Sequence, residues 1–201
     1  MAAVSGSSFS PHLKRIKPDY FRNMNKKTYH PLSVLLHWLM FLLFVVALAV
    51  IEYRDDVPKG DPLRAILRTI HMHAGQLVLL FVLVRVFARW RYAAPSHIDG
   101  PRWQTLGASA MHLLLYFIMF ALPVSGILFT QAGGRDVVFF GWTLPQLIAV
   151  NQDWHDSIRD VHEFMGNAVY YLVGIHVAGA LWHQFVNKDA ILRRMTWRKQ
   201  D

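Results

Sequence analysis

Four histidines sit inside apolar stretches at depths that match in pairs: His37, His71, His162 and His176. An ionisable side chain within a bilayer is costly and marks a functional position by default. Imidazole is also a usual axial ligand of haem iron. His162 and His176 are fourteen residues apart on one apolar segment. At 3.6 residues per turn they share a helix face and are separated by about 21 Å along the axis. One such helix can ligate two haems, one towards each side of a membrane. The implied chemistry is transmembrane electron transfer.

Depth sets the partners. His71 lies about five residues into the second apolar segment and His162 about four into the fourth, both counted from the same side. His37 lies about six residues into the first segment from the opposite side, level with His176. The expected pairs are therefore His71 with His162 for an outer haem, and His37 with His176 for an inner one. Gly75 and Gly166 each follow a histidine by four residues, on that histidine's own face. A porphyrin plane lying against a helix needs such clearance, although glycine also serves helix packing in membranes. Taken singly, each histidine is more often a hydrogen-bonded packing residue; the paired depths favour ligation. His73 lies about 200° round the helix from His71 and cannot face the same iron. His12, His30, His97 and His155 fall in loops or tails and read as solvated.

Other polar residues suit the rim of a haem. Arg68 stands one turn before His71, at the outer edge. Arg85 lies on the His71 face at the depth of the inner pair. A guanidinium can pair bidentately with a propionate. His112 reads as an inner propionate partner or a structural residue. His183 follows His176 by seven residues on the same face. With Trp182 and Gln184 it could form a quinone site, His183 hydrogen-bonding a quinone carbonyl. The competing reading is a histidine facing lipid headgroups.

The elements that carry these residues are four apolar segments: residues 31–51, 66–90, 105–131 and 158–187. Each is long enough to cross a core of about 30 Å as a helix. Of the 201 residues 54% are hydrophobic, and mean hydropathy is +0.25, too apolar for an ordinary soluble domain. Seven Trp suit interfacial anchoring. The fold class is an all-α integral membrane protein, a four-helix transmembrane bundle. Pro123 and Gly126 are expected to kink the third span. The stretch FFGWTLPQLIAV, within the 132–157 loop, is too short to span and should cap the bundle or lie at the interface.

Fourteen Lys and Arg fall in the N-terminal segment, the 91–104 loop with its flanks and the tail, against six on the other side. The positive-inside rule puts both termini in the cytoplasm. The net charge of +8 is thus a topology signal, and no nucleic-acid motif accompanies it. The chain divides into a basic N-terminal segment (1–30), a four-span di-haem domain (31–187) and a basic tail (188–201). No signal peptide is read at the start. Met24 is an alternative start, residues 1–23 then being an upstream extension. The chain has no Cys, which excludes disulfides, thiolate clusters and covalent haem attachment.

The stretches LLHWLMFLLF, IHMHAGQLVLLFVLVRVFARWRY, HLLLYFIMFALPVSG and VHEFMGNAVYYLVGIHVAGALWHQFVNKD resemble the bacterial di-haem cytochrome b561 family, superoxide oxidase type, over residues 28–195. The resemblance implies axial ligands at His37, His71, His162 and His176 and two haem b groups. It implies single-electron transfer from superoxide outside to ubiquinone inside, with the region around His183 as the quinone site. The expected setting is the bacterial inner membrane, among lipid, quinone and a small redox donor. One feature runs against an anionic substrate: the outer segments hold six basic residues against nine acidic ones. Arg64, Arg68, Arg135 and Arg159 would have to gather locally, with His73 and His155.

Three other readings compete. A cytochrome b subunit linking quinone to a partner dehydrogenase or hydrogenase would use the same spans. A histidine-lined metal transporter would recruit carboxylates within the membrane, and here only Asp160 and Glu163 fall inside the spans, at the start of the fourth. A cofactor-free scaffold would leave buried histidines unpartnered.

Overall fold

The computed structural model describes residues 29–92, 101–189 and 191–196. Four long helices run through it: α1 (Pro31–Asp56), α2 (Pro62–Arg91), α3 (Arg102–Ala132) and α4 (Gln152–Trp182). All four are long and apolar enough to cross a membrane. A π turn (His183–Asn187) and a short helix α5 (Ile191–Arg194) follow.

The starts of these helices are written locally. Pro31 and Pro62 occupy the first turns of α1 and α2, where proline's missing N–H costs nothing. Asp61 Oδ1 accepts from Leu63 N at 2.8 Å, and Asn151 Oδ1 accepts from Trp154 N at 2.9 Å. His30 caps α1 through Nδ1, 3.2 Å from Leu32 N, and stacks on Tyr92. Its expected solvation is therefore corrected: this ring ties the start of α1 to the end of α2. His12 and His97 lie outside the described residues.

α1 packs on α2, α2 on α3, and α3 on α4. One layer joins Met40, Val78 and Val82 with Tyr116 and Met119. A second joins Ile118, Leu122, Met165 and Val169 with Leu48 and Leu172. Phe44 touches both and so sits where the layers meet. Most other apolar side chains face outward, Phe87, Leu113, Phe164 and Tyr171 among them. Helices apolar on every side suit lipid as their solvent.

The loop between α3 and α4 is shorter than the sequence suggests. α4 begins at Gln152, and a two-stranded hairpin (β1 Val138–Phe139, β2 Trp142–Thr143) fills part of the remainder. Its turn residues Phe140 and Gly141 both have positive φ, 44° and 92°, which a two-residue hairpin turn demands. The hairpin docks on α2: Gln76 Nε2 donates to Val138 O at 3.2 Å, and Phe140 N donates to His73 Nε2 at 3.3 Å. Gln131, almost wholly buried, holds the next stretch by donating to Pro145 O and accepting from Leu147 N. The segment caps one end of the bundle.

Candidate functional site

The four histidines meet in the two expected pairs. The ring centres of His71 on α2 and His162 on α4 are 6.2 Å apart, nearly perpendicular at 78°. Those of His37 on α1 and His176 on α4 are 6.3 Å apart at 67°. Two imidazoles whose nitrogens each lie about 2 Å from one shared metal have ring centres roughly 6 Å apart. Both spacings suit an iron held from two sides.

Hydrogen bonds orient one pair for that task. His71 Nδ1 lies 2.8 Å from Ala47 O on α1. His162 Nδ1 lies 3.0 Å from Leu122 O and 3.0 Å from Ser125 Oγ on α3. A carbonyl can only accept, so Nδ1 carries the proton in both rings and Nε2 keeps its lone pair for a metal. Ser125 Oγ in turn donates to Leu122 O at 2.8 Å. Neither His37 nor His176 is hydrogen-bonded among the described residues; His37 lies edge-on to Trp38, and His176 to His112 with ring centres 5.5 Å apart.

The glycines fall into two groups. A Cβ added at Gly75 or Gly166 meets no atom within 4 Å. These positions face open room rather than a packed helix, as a flat macrocycle beside its ligand requires. Gly126 is different: a Cβ there would come within 3.2 Å of His162 Cε1. Its absence of a side chain lets the His162 ring reach the α3 backbone. The sequence presents Gly126 as a kink residue beside Pro123, and both stand within one continuous α3.

The second ring of polar residues departs from expectation in places. Arg85 donates from Nη1 to Ser33 O at 2.9 Å and from Nε to Tyr116 OH at 3.1 Å. It ties α1, α2 and α3 together, close enough for its charge to act on His37, His112 and His176. His73 spends both nitrogens, on Thr69 O and Phe140 N. His155 is not simply solvated. It lies half-buried on the first turns of α4 and donates to Phe129 O at 2.7 Å, its ring seated against Gly133.

Arg68 is exposed at the hairpin end, within electrostatic reach of Arg135, as are Arg159 and Arg54. Partial burial, then the charges of Arg68, Arg159 and Arg54, lowers the pKa of Arg135 from its ordinary value. Four guanidiniums thus lie at this end, two of them ion-paired, Arg54 with Asp55 at 3.2 Å and Arg159 with Glu163 at 2.7 Å. Arg64, from the expected group, is instead spent on Arg54 O and Val57 O, closing the α1–α2 turn. At the opposite end Trp182 faces outward, while His183 and Gln184 are half-buried.

Comparison with known proteins agrees with this architecture. The family model described as prokaryotic cytochrome b561 matches residues 28–198. "Cytochrome b561 homolog 1" of Escherichia coli (strain K12) is 32% identical over 84% of this chain and 96% of its own. "Probable superoxide oxidase CybB" of Yersinia pestis is 31% identical over 88% of this chain and 99% of its own. "Cytochrome b562" of Cereibacter sphaeroides is 26% identical over 83% of this chain and 94% of its own. Four membrane-length helices and a match spanning nearly the whole chain make this a multi-pass protein of the bacterial inner membrane, and it belongs to the prokaryotic cytochrome b561 family.

Proposed function

We propose that the chain holds two haem b groups and carries single electrons across the inner membrane, from superoxide at the outer face to ubiquinone near the inner haem. Haem binding and electron transfer are properties of the family. The observation that carries the finer reading is the pair of histidine couples, 6.2 and 6.3 Å across, stacked along α4. His71 and His162 would hold the outer haem, and His37 and His176 the inner one. When bound, the haems would supply reversible one-electron oxidation and reduction.

The protein's own groups do the rest. Ala47 O and Leu122 O hold the outer imidazoles in the tautomer that presents Nε2. Gly75 and Gly166 leave room beside them. Arg85 brings a positive charge to the inner pair. Arg68 and Arg135 raise the local potential at the outer end, which favours approach of an anion, while Arg54 and Arg159 are offset by their ion pairs with Asp55 and Glu163. His112 lies 5.5 Å from His176, ring centre to ring centre, and Arg68 stands one helical turn before His71; both suit propionate contacts. The basic termini face the cytoplasm, so His183 and Gln184 lie at the inner leaflet, where quinone is reduced.

The test is superoxide consumption by the purified protein with ubiquinone present, following quinol formation. Quinone-dependent loss of superoxide faster than spontaneous dismutation is expected. Its absence, together with haem reduction by a co-purified dehydrogenase or hydrogenase, would replace the donor.

A further inference from the structure

At its cytoplasmic end α4 widens into the π turn His183–Asn187 and closes on Lys188, whose φ of 56° is left-handed. Such turns insert an extra residue and often occur at functional positions. This one folds the chain back so that Asp189 meets His183. Asp189 Oδ2 lies 2.6 Å from His183 Nδ1, and Asp189 N donates to His183 O at 3.2 Å. Asn187 Nδ2 stands 3.3 Å from the same ring nitrogen. Both side chains of the pair are largely covered, at 22% and 16% exposure.

Among the described residues two oxygens here lack a partner: Asp189 Oδ1 and Gln184 Oε1 are buried without a hydrogen bond. A buried acceptor left unsatisfied costs about 1–3 kcal/mol, so each position suits a donor. A quinone has none. A quinol hydroxyl does, and so does water carrying protons inward.

The neighbourhood is otherwise cationic. α5 packs on the turn and brings Arg193 and Arg194, and Lys188 is adjacent in the chain. Asp189 is the one acidic side chain at the basic end among the described residues. The chain just after α5 is fastened to α1 beside His37. Trp38 Nε1 donates to Met195 O at 3.0 Å, and the Trp38 ring lies edge-on to His37.

We infer that Asp189 and His183 are the proton-delivery pair for quinone reduction, Asp189 relaying protons from the cytoplasm through the imidazole. The inference rests on the quinone reading of His183 above. Two superoxide anions each lose one electron and become dioxygen; the quinone gains two electrons and two protons. In each proton step the His183 Nε2–H bond breaks as an O–H bond forms on the quinone. His183 Nδ1 gains the proton that Asp189 Oδ2 gives up, and Asp189 is reprotonated from the cytoplasmic water through Oδ1; the imidazole then turns over, so that its protonated nitrogen faces the quinone for the second step. Asp189 thus acts through His183, as its positioning and relay residue.

Asp189→Asn keeps the shape and a hydrogen bond but has no transferable proton. The full chain is placed in liposomes with ubiquinone, superoxide is generated outside, and a pH dye is enclosed. Binding of a short-chain ubiquinone analogue is followed separately by tryptophan fluorescence. The unsubstituted protein is expected to make the lumen alkaline as quinol forms. Asp189→Asn is expected to keep its haem and its affinity for the analogue, to form quinol roughly tenfold or more slowly, and to be partly rescued by acetate in the lumen. Quinol formation at the unsubstituted rate across the pH range would overturn the inference. So would a lumen that does not become alkaline with the unsubstituted protein, a result that stands even if the variant fails to fold. Failure of the unsubstituted protein to bind the analogue would instead bring down the quinone reading, and the relay with it.

Discussion

The His162 ring rests on Gly126: a Cβ at that glycine would lie 3.2 Å from Cε1 and 3.6 Å from Nδ1. The first distance is tighter than most real contacts of that kind, so the ring must shift if a side chain is added. A shift moves Nδ1 off Leu122 O and Ser125 Oγ, and Nε2 off the line to its partner. Gly126→Ala should weaken the outer haem and Gly126→Val should displace it, with the inner haem untouched. Haem per chain from the pyridine haemochrome checks this. Unchanged content in Gly126→Val would show that the ring is not a ligand.

Single ligand removals should be separable. His162→Ala and His71→Ala should each leave only the inner haem, and His37→Ala should leave only the outer one. A redox titration should then resolve one midpoint in place of two. The two outer variants should match each other and differ from His37→Ala. Any other grouping would break the pairing.

Arg85 places a cation near the inner pair, held by neutral partners, Ser33 O and Tyr116 OH. A nearby positive charge stabilises the reduced form. At a separation of about 10 Å and an effective dielectric of about 20, its removal is worth ~1.7 kcal/mol, roughly 70 mV for one electron. Arg85→Gln should lower the inner midpoint by about that amount and leave the outer one in place. A potentiometric titration reads both. A rise, or a shift confined to the outer haem, would contradict the placement.

The spans were legible because apolar runs of this length have few alternatives. The histidine pairing was legible because helix rise is fixed and these imidazoles sit at matched depths. Periodicity also put Gly75 and Gly166 on the faces of His71 and His162, where an added Cβ meets nothing within 4 Å. What escaped depends on contacts between segments. Gly126 matters for a ring on another helix, and no local pattern announces that. The first turn and a half of α4 is polar (QDWHDS) and projects past the apolar run, so hydropathy starts the helix late. Its clearest signal was Asn151 ahead of Trp154, an ordinary cap. His30 and His155 looked solvated because each finds its partner, Tyr92 or Phe129 O, far along the chain.

The outer arginines should act on encounter more than on chemistry. Arg135→Glu should slow the second-order reaction with superoxide and flatten its dependence on ionic strength. Both midpoints should stay close to those of the unsubstituted protein. Stopped-flow reduction at several salt concentrations measures the effect. An unchanged rate at low salt would remove the cluster from the path of the substrate.

The most direct test of the whole account is a reduced-minus-oxidised visible spectrum of the purified protein with haem counted per chain. Two low-spin b haems per chain are the expected result, since two histidine couples each suit one iron. A single haem would contradict the two-site reading of α4. No haem, after expression with adequate haem supply, would contradict the account at its base.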